Sequence, residues 1–232
     1  MLVLVFYLHY SCYVKQSTQN YLKAIYHLSE LEDKPIIKVN DVSKKLNISM
    51  ASVSEMIKRL EHHGYVTSQP YKGLKLTSKG RDVGCNMVRH HRIWETYLFK
   101  VLEFTWDEVH DEAELLEHAS SNKVIEKLEA LMNYPQFDPH GNPIPDKNGR
   151  VPIISNEQLL SSCKKGDRCS IVRFVDLDSR YLSFLEKHDV LLQSKLIIDE
   201  CLEFDGTMVC LVKNHSIHFS KQATNHIYVT KN

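Results

Sequence analysis

Apolar residues at Tyr21, Leu22, Ile25, Tyr26 and Leu28 recur at the spacing of one helix face and predict a helix over about 18–31, ended by Asp33-Lys34-Pro35. After a short segment at 36–39, Asn40 is placed to cap a second helix running through Leu46. Asn47-Ile48-Ser49 makes a tight turn. Ser49 then caps a third helix, apolar at Val53, Met56, Ile57 and Leu60 and closed by Gly64. Tyr65-Val66-Thr67 and Leu74-Lys75-Leu76-Thr77 flank a turn at 70–73, the pattern of a β-hairpin. Longer helices are predicted over about 78–102, 107–119 and 123–133. The stretch 134–152 holds five Pro and two Gly and reads as a linker or ordered loop. Beyond Leu160 the pattern turns to short strands at 169–174, 195–203, 207–212, 216–219 and 226–229, with a helix at 179–187 between them. The layout predicts a mainly α chain with a small barrel-like β part at its C-terminal end.

The 232 residues are 43% hydrophobic and 25% charged, which excludes disorder, collagen and a polytopic membrane protein. Six Cys without a CxxC pair or zinc-ribbon spacing point to free thiols in a reducing cytosol, hence a cytoplasmic location. The start, MLVLVFYLHYSCYV (1–14), is apolar but shorter than the roughly 20 residues of a membrane span, and no positive charge precedes its apolar run. It reads as an extension without function, a targeting segment being the alternative.

Net charge is zero, 29 basic against 29 acidic residues, but the sum conceals an uneven distribution. Between Lys38 and Arg81, nine basic residues face three acidic ones. Between Glu103 and His118, seven acids occur with no Lys or Arg. A phosphate binder joined to a cation binder is the reading this distribution supports. In the basic part, two short helices about a turn, followed by a hairpin, form a winged helix-turn-helix. Ser49, Ala51, Ser52, Ser54, Glu55, Lys58 and Arg59 would face DNA from the third helix, with Lys72 and Lys75 on the wing. A winged helix used for protein contact is the bland alternative, and the local excess of positive charge favours DNA.

In the acidic part, Glu114, Glu117 and His118 stand at i, i+3 and i+4, so one helix face presents all three, with His110 one turn earlier. His91 and Glu95, four apart on the preceding helix, complete a pattern suited to a divalent transition ion. The alternative is a solvated acidic face with incidental histidines.

Six blocks in order, TQNYLKAIYHL (18–28), SVSEMIKRLEHHGYV (52–66), YKGLKLTSKG (71–80), RHHRIWETYL (89–98), EVHDEAELLEH (108–118) and DPHGNPIP (138–145), resemble the diphtheria-toxin-repressor family of metal-dependent transcriptional regulators. The resemblance implies a winged-helix DNA-binding domain at 15–81, a helical metal-binding and dimerisation domain at 82–152 and an SH3-like domain at 153–232. It implies a primary metal site of His91, Glu114, Glu117 and His118, with Asn20 from the first helix. An ancillary site would use Glu95, His110, Asp138 and His140, with Asp176 from the third domain. Glu114 stands where iron-responsive members carry Cys and manganese-responsive members carry Glu, so Mn²⁺ is the implied ion, with Fe²⁺ second. Manganese-responsive members usually have Asp where this chain has Asn20, and some have Glu where it has Lys23. The implied function is a homodimeric, metal-dependent repressor of metal-uptake genes, not an enzyme. Two other readings stand beside it. One is a winged-helix regulator that has lost metal control. The other is a metallopeptidase, since Glu114-Leu-Leu-Glu117-His118 differs from HxxEH at its first residue.

Overall fold

The computed structural model describes residues 14–31, 36–69, 72–175, 179–213 and 215–231. The apolar start up to residue 13 and Asp176 therefore lie outside the described residues. The chain divides into two compact units that meet between Met87 and Val88.

The first unit contains helix α1 (Gln16–Tyr26), α2 (Val39–Leu46) and α3 (Met50–His62) and strands β1 (Val66–Gln69) and β2 (Gly73–Leu76). The helix expected to run through residue 31 changes at His27 into one wider π turn, His27–Leu31. Asn40 is not a cap. Lys38 is the N-cap of α2, and the Asp41 carboxylate accepts its backbone N–H at 3.0 Å, so the side chain that satisfies the helix start lies inside the helix. Asn47 adopts the left-handed conformation (φ 53°) that turns the chain between α2 and α3. The strands pair antiparallel, with Val66 opposite Leu76, and Ile37 joins as a third edge through a bridge to Leu74. Leu22, Ile25, Val42, Val53, Leu60 and Leu74 close the core beneath them.

Helix α4 (Ser78–Leu102) begins in the first unit and continues into the second. The second unit adds α5 (Val109–Leu116), α6 (Asn122–Leu131), strands β3 (Glu157–Leu159) and β4 (Arg168–Phe174), helix α7 (Ser179–Lys187), strands β5 (Lys195–Cys201), β6 (Met208–Val212) and β7 (His215–Phe219), the short helix α8 (Lys221–Thr224) and β8 (Ile227–Lys231). The six later strands form one antiparallel sheet in the order β3-β8-β4-β5-β6-β7. Strand β3 and helix α8 are additions to the sequence reading; three and four residues are too few to show a period.

The β core is closed partly from outside the sheet. Trp106, just before α5, belongs to the cluster built on Ile171, Phe174, Leu196 and Phe219. Its ring meets Phe174 edge-on at 5.0 Å, lies against His140 at 5.1 Å, and its Nε1 donates to the Pro139 carbonyl. The Phe174 N–H in turn donates to the His140 carbonyl at 2.9 Å. These contacts tie the Pro-rich loop to the sheet.

Gly84 marks a close helix crossing inside the first unit. A Cβ there would stand 2.6 Å from the Leu22 carbonyl oxygen and 2.7 Å from Tyr26 Cβ. In an ordinary helix interior Gly→Ala stabilises by about 1 kcal/mol. Here Gly84→Ala should instead lower the denaturation midpoint, because α1 must move off α4. A higher midpoint in urea unfolding would contradict this packing.

Candidate metal centre and nucleic-acid interface

On α3, the Ser49 hydroxyl accepts the Ser52 N–H at 3.2 Å and fixes the helix start. Val53, Ile57 and Leu60 point into the core, which turns Ala51, Ser52, Ser54, Glu55, Lys58 and Arg59 outward; all six are exposed, as are Ser49, Lys72 and Lys75. Gly64 (φ 71°) ends the helix in the conformation a closing glycine supplies. The wing is held to α3 by Glu61, whose carboxylate accepts both the backbone N–H (2.8 Å) and the hydroxyl of Ser68. At the base of the hairpin, the Thr77 hydroxyl donates to the Gly64 carbonyl at 2.7 Å and accepts the Gly80 N–H at 3.1 Å. The surface presents Lys58, Arg59, Lys72 and Lys75 and is braced at both ends of the hairpin.

In the second unit, α4 supplies His91 and Glu95, both buried because this stretch of the helix is covered on most sides. His91 Nδ1 lies 2.7 Å from Glu117 Oε2 and 3.7 Å from Glu114 Oε1. Its Nε2 lies 2.9 Å from Glu95 Oε1 and 3.0 Å from His110 Nδ1. His118 Nε2 is 3.3 Å from Glu117 Oε1. Helix α5 is shorter than expected and ends at Leu116, but Glu117 keeps helical torsions (φ −59°, ψ −37°), so the predicted common face survives. Three groups each bring their ligand atoms within 4.8 Å of one another: His91, His110 and Glu114; Glu114, Glu117 and His118; and Glu95, Asp138 and His140. The first two share Glu114. His110 thus groups with His91 and Glu114 as well as approaching Glu95 at 3.2 Å, so it joins the two sets that the family resemblance keeps apart.

Asp138 and His140 arrive from the Pro-rich loop, which is ordered by its own hydrogen bonds. Asp138 Oδ1 accepts the backbone N–H of His140 and of Asn142, both at 2.8 Å. His140 Nε2 lies 3.0 Å from the Trp106 carbonyl. Burial, together with the charge of Glu95, pushes the Asp138 carboxyl upward; His140 and Arg92 partly offset this. Burial acts in the same sense on Glu95, but the charge of His91 and hydrogen bonds from His110 and His91 prevail and hold it well below the usual carboxylate range. The donors are all oxygen and nitrogen, a set that fits Mn²⁺ or Fe²⁺ better than a soft ion. In the first unit, Asn20 Oδ1 is buried and accepts no hydrogen bond among the described residues.

Arg92 is the functional neighbour that spacing did not reveal. Buried beside His91, it donates to the Pro143 carbonyl and places Nε 3.6 Å from Asp138 Oδ2. Its partners lie about fifty residues along the chain, so only its position on the same face as Glu95, three residues later, could have signalled it. His90 and Trp94 give similar support, His90 through Asn122 at 2.9 Å and Trp94 through Ser120 at 2.7 Å. Cys85 is buried. Burial drives the Cys169 and Cys210 thiols up to about 12, in keeping with the absence of any chemistry assigned to them.

A winged helix followed by a largely buried cluster of imidazoles and carboxylates, open to solvent at His110 and Glu114, defines a DNA-binding regulator with a built-in metal centre. Three family models cover the chain in order. They are the iron-dependent repressor N-terminal DNA-binding domain at 14–74, the iron-dependent repressor metal-binding and dimerisation domain at 77–146, and the FeoA domain at 158–231. A solved manganese-dependent transcriptional repressor in complex with manganese is 32% identical, with a TM-score of 0.85 over 93% of this chain and all of that one. The regulator MntR of Geobacillus kaustophilus is 30% identical over 122 residues, 53% of this chain and 84% of its own length. Iron-dependent repressor IdeR of Mycobacterium tuberculosis is 36% identical over 129 residues, 56% of this chain and 55% of its own length, so the match spans just over half of that relative. The chain belongs to the diphtheria-toxin-repressor family of metal-dependent transcriptional regulators. Its third domain is accordingly the family's SH3-like β domain. Among the described residues, no helix is long and apolar enough to cross a membrane.

Removing Arg92 leaves Asp138 without its buried counter-charge and the loop without its tie to α4. Arg92→Met should destabilise the metal-free protein by roughly 3 kcal/mol or more. A chemical denaturation curve superimposable on wild type would show that the contact contributes nothing.

Proposed function

We propose that this chain is a homodimeric, cytoplasmic repressor of metal-ion uptake genes whose operator binding depends on a divalent cation, Mn²⁺ in the first place. The observation that carries the proposal is the convergence of His91, Glu114, Glu117 and His118 in the second unit of a chain whose first unit carries a braced, positively charged recognition helix. In this reading those four side chains, with Asn20 as a further donor, hold the controlling ion. Glu95, Asp138 and His140 hold a second, with His110 between the two. Bound there, a divalent ion supplies positive charge among carboxylates that the fold has already taken out of water. His91 does the organising, since each ring nitrogen already faces a carboxylate. Lys58, Arg59, Lys72 and Lys75 neutralise phosphates, and the serines at the start of α3 allow close approach to the major groove.

Mn²⁺ is preferred to Fe²⁺ because position 114 is a carboxylate and no thiolate belongs to any of the three clusters. The iron response remains the second reading, favoured by the name of the IdeR relative. The test is fluorescence anisotropy of a duplex taken from the chain's own upstream region, with Mn²⁺, anaerobic Fe²⁺ and Zn²⁺ added separately. Mn²⁺ should raise affinity most, and a chelator should leave only weak, salt-sensitive binding. Glu117→Ala and His118→Ala should fold but lose the stimulation. Specific binding indifferent to chelation would instead favour a regulator that has lost metal control.

Position 20 gives a separate check. Asn20→Asp should tighten Mn²⁺ by restoring a charge, as read by calorimetry. Unchanged affinity would remove Asn20 from the ligand set.

A further inference from the structure

The outward face of α3 sorts its side chains into those already engaged and those available. The hydroxyls of Ser49 and Ser52 lie 2.9 Å apart and bond to each other. Ser54 donates its hydroxyl to the Met50 carbonyl at 2.8 Å. The Glu61 carboxylate is taken up by Ser68 on the wing. Ala51 has no polar group, and Lys58 is a point charge suited to phosphate. Glu55 remains. Its side chain is 67% exposed, its Oε1 pairs with Arg59 one turn later, and its Oε2 carries no hydrogen bond among the described residues.

An acid at the centre of a positively charged DNA-facing helix repels phosphate, so its presence there needs a different partner. Side chains on a helix lean toward its N-terminus, which carries Glu55 over the small residues Ala51 and Ser52. Those residues leave room for a base edge. A carboxylate can only accept hydrogen bonds, and in the major groove cytosine offers its N4 amino group as a donor. Arg59 cancels the charge of Glu55 and leaves donors free for the adjacent backbone.

Resting on the DNA-binding reading above, we propose that Glu55 is a specificity-determining residue. It accepts a hydrogen bond from the N4 amino group of one cytosine in each half-site, and Arg59 is the residue that positions it. The test is selection from a library of randomised duplexes by the full-length protein with Mn²⁺, followed by sequencing of the bound fraction. Wild type should select C·G at one position of each half-site. Glu55→Gln, which can also donate, should move that position to A·T and leave the others unchanged. Glu55→Ala should lose about tenfold discrimination at that position alone, with an undiminished salt dependence, because no phosphate contact is removed. Arg59→Lys should keep the C·G preference that Arg59→Ala broadens. Identical base preferences in wild type, Glu55→Gln and Glu55→Ala overturn the inference while leaving DNA binding intact. So does a Glu55→Ala protein with a reduced salt slope, since that marks a backbone role. Failure of the wild type to select any sequence overturns the DNA-binding reading itself.

Discussion

The metal centre depends on one buried imidazole held between buried carboxylates. His91 faces Glu117 through one ring nitrogen and Glu95 through the other, with Glu114 and His110 close by. Removing Glu95 and Glu117 from water is costly unless positive charge accompanies them. The Arg92 guanidinium beside Asp138 supplies part of it, and at the remaining carboxylates a divalent ion would gain more than it does in solvent. Folding therefore gathers the donors, and in the proposed reading a divalent cation would complete the site.

Helix α4 gives that arrangement its reach. It runs unbroken from Ser78 to Leu102, so the element carrying His91 and Glu95 also begins directly after the winged-helix hairpin. On the other side, the loop that delivers Asp138 and His140 is held against the β sheet by Trp106 and Phe174. Gly141 permits that contact, since a Cβ there would meet the Val172 carbonyl oxygen at 2.2 Å. Asp138 and His140 are thus tied to the sheet through the loop that carries them.

Local pattern made much of this legible. The Ser49 cap, the Asn47 turn and the Gly64 stop were readable because each serves its neighbours within four residues. The i, i+3, i+4 spacing of Glu114, Glu117 and His118 placed them together even though the regular helix ends at Leu116. What escaped depends on distant partners or on competition between neighbours. Asp41 satisfies the start of α2 in place of Asn40, a choice decided by which side chain reaches the Lys38 N–H. The π turn after Tyr26 leaves no trace in apolar spacing. Arg92 and Trp106 act on residues roughly thirty to fifty positions away, beyond any periodicity. The separation of primary from ancillary ligands came from resemblance alone, and His110 lies close to members of both sets.

The central claim is that the ion and the DNA favour the same state of the protein. Linkage then requires each to tighten the other by one common factor, typically about 5- to 150-fold. The most direct measurement is calorimetric Mn²⁺ affinity with and without saturating duplex from the chain's own upstream region. Duplex should raise Mn²⁺ affinity by the same factor by which Mn²⁺ raises duplex affinity. Equal Mn²⁺ affinities in the two titrations would contradict it.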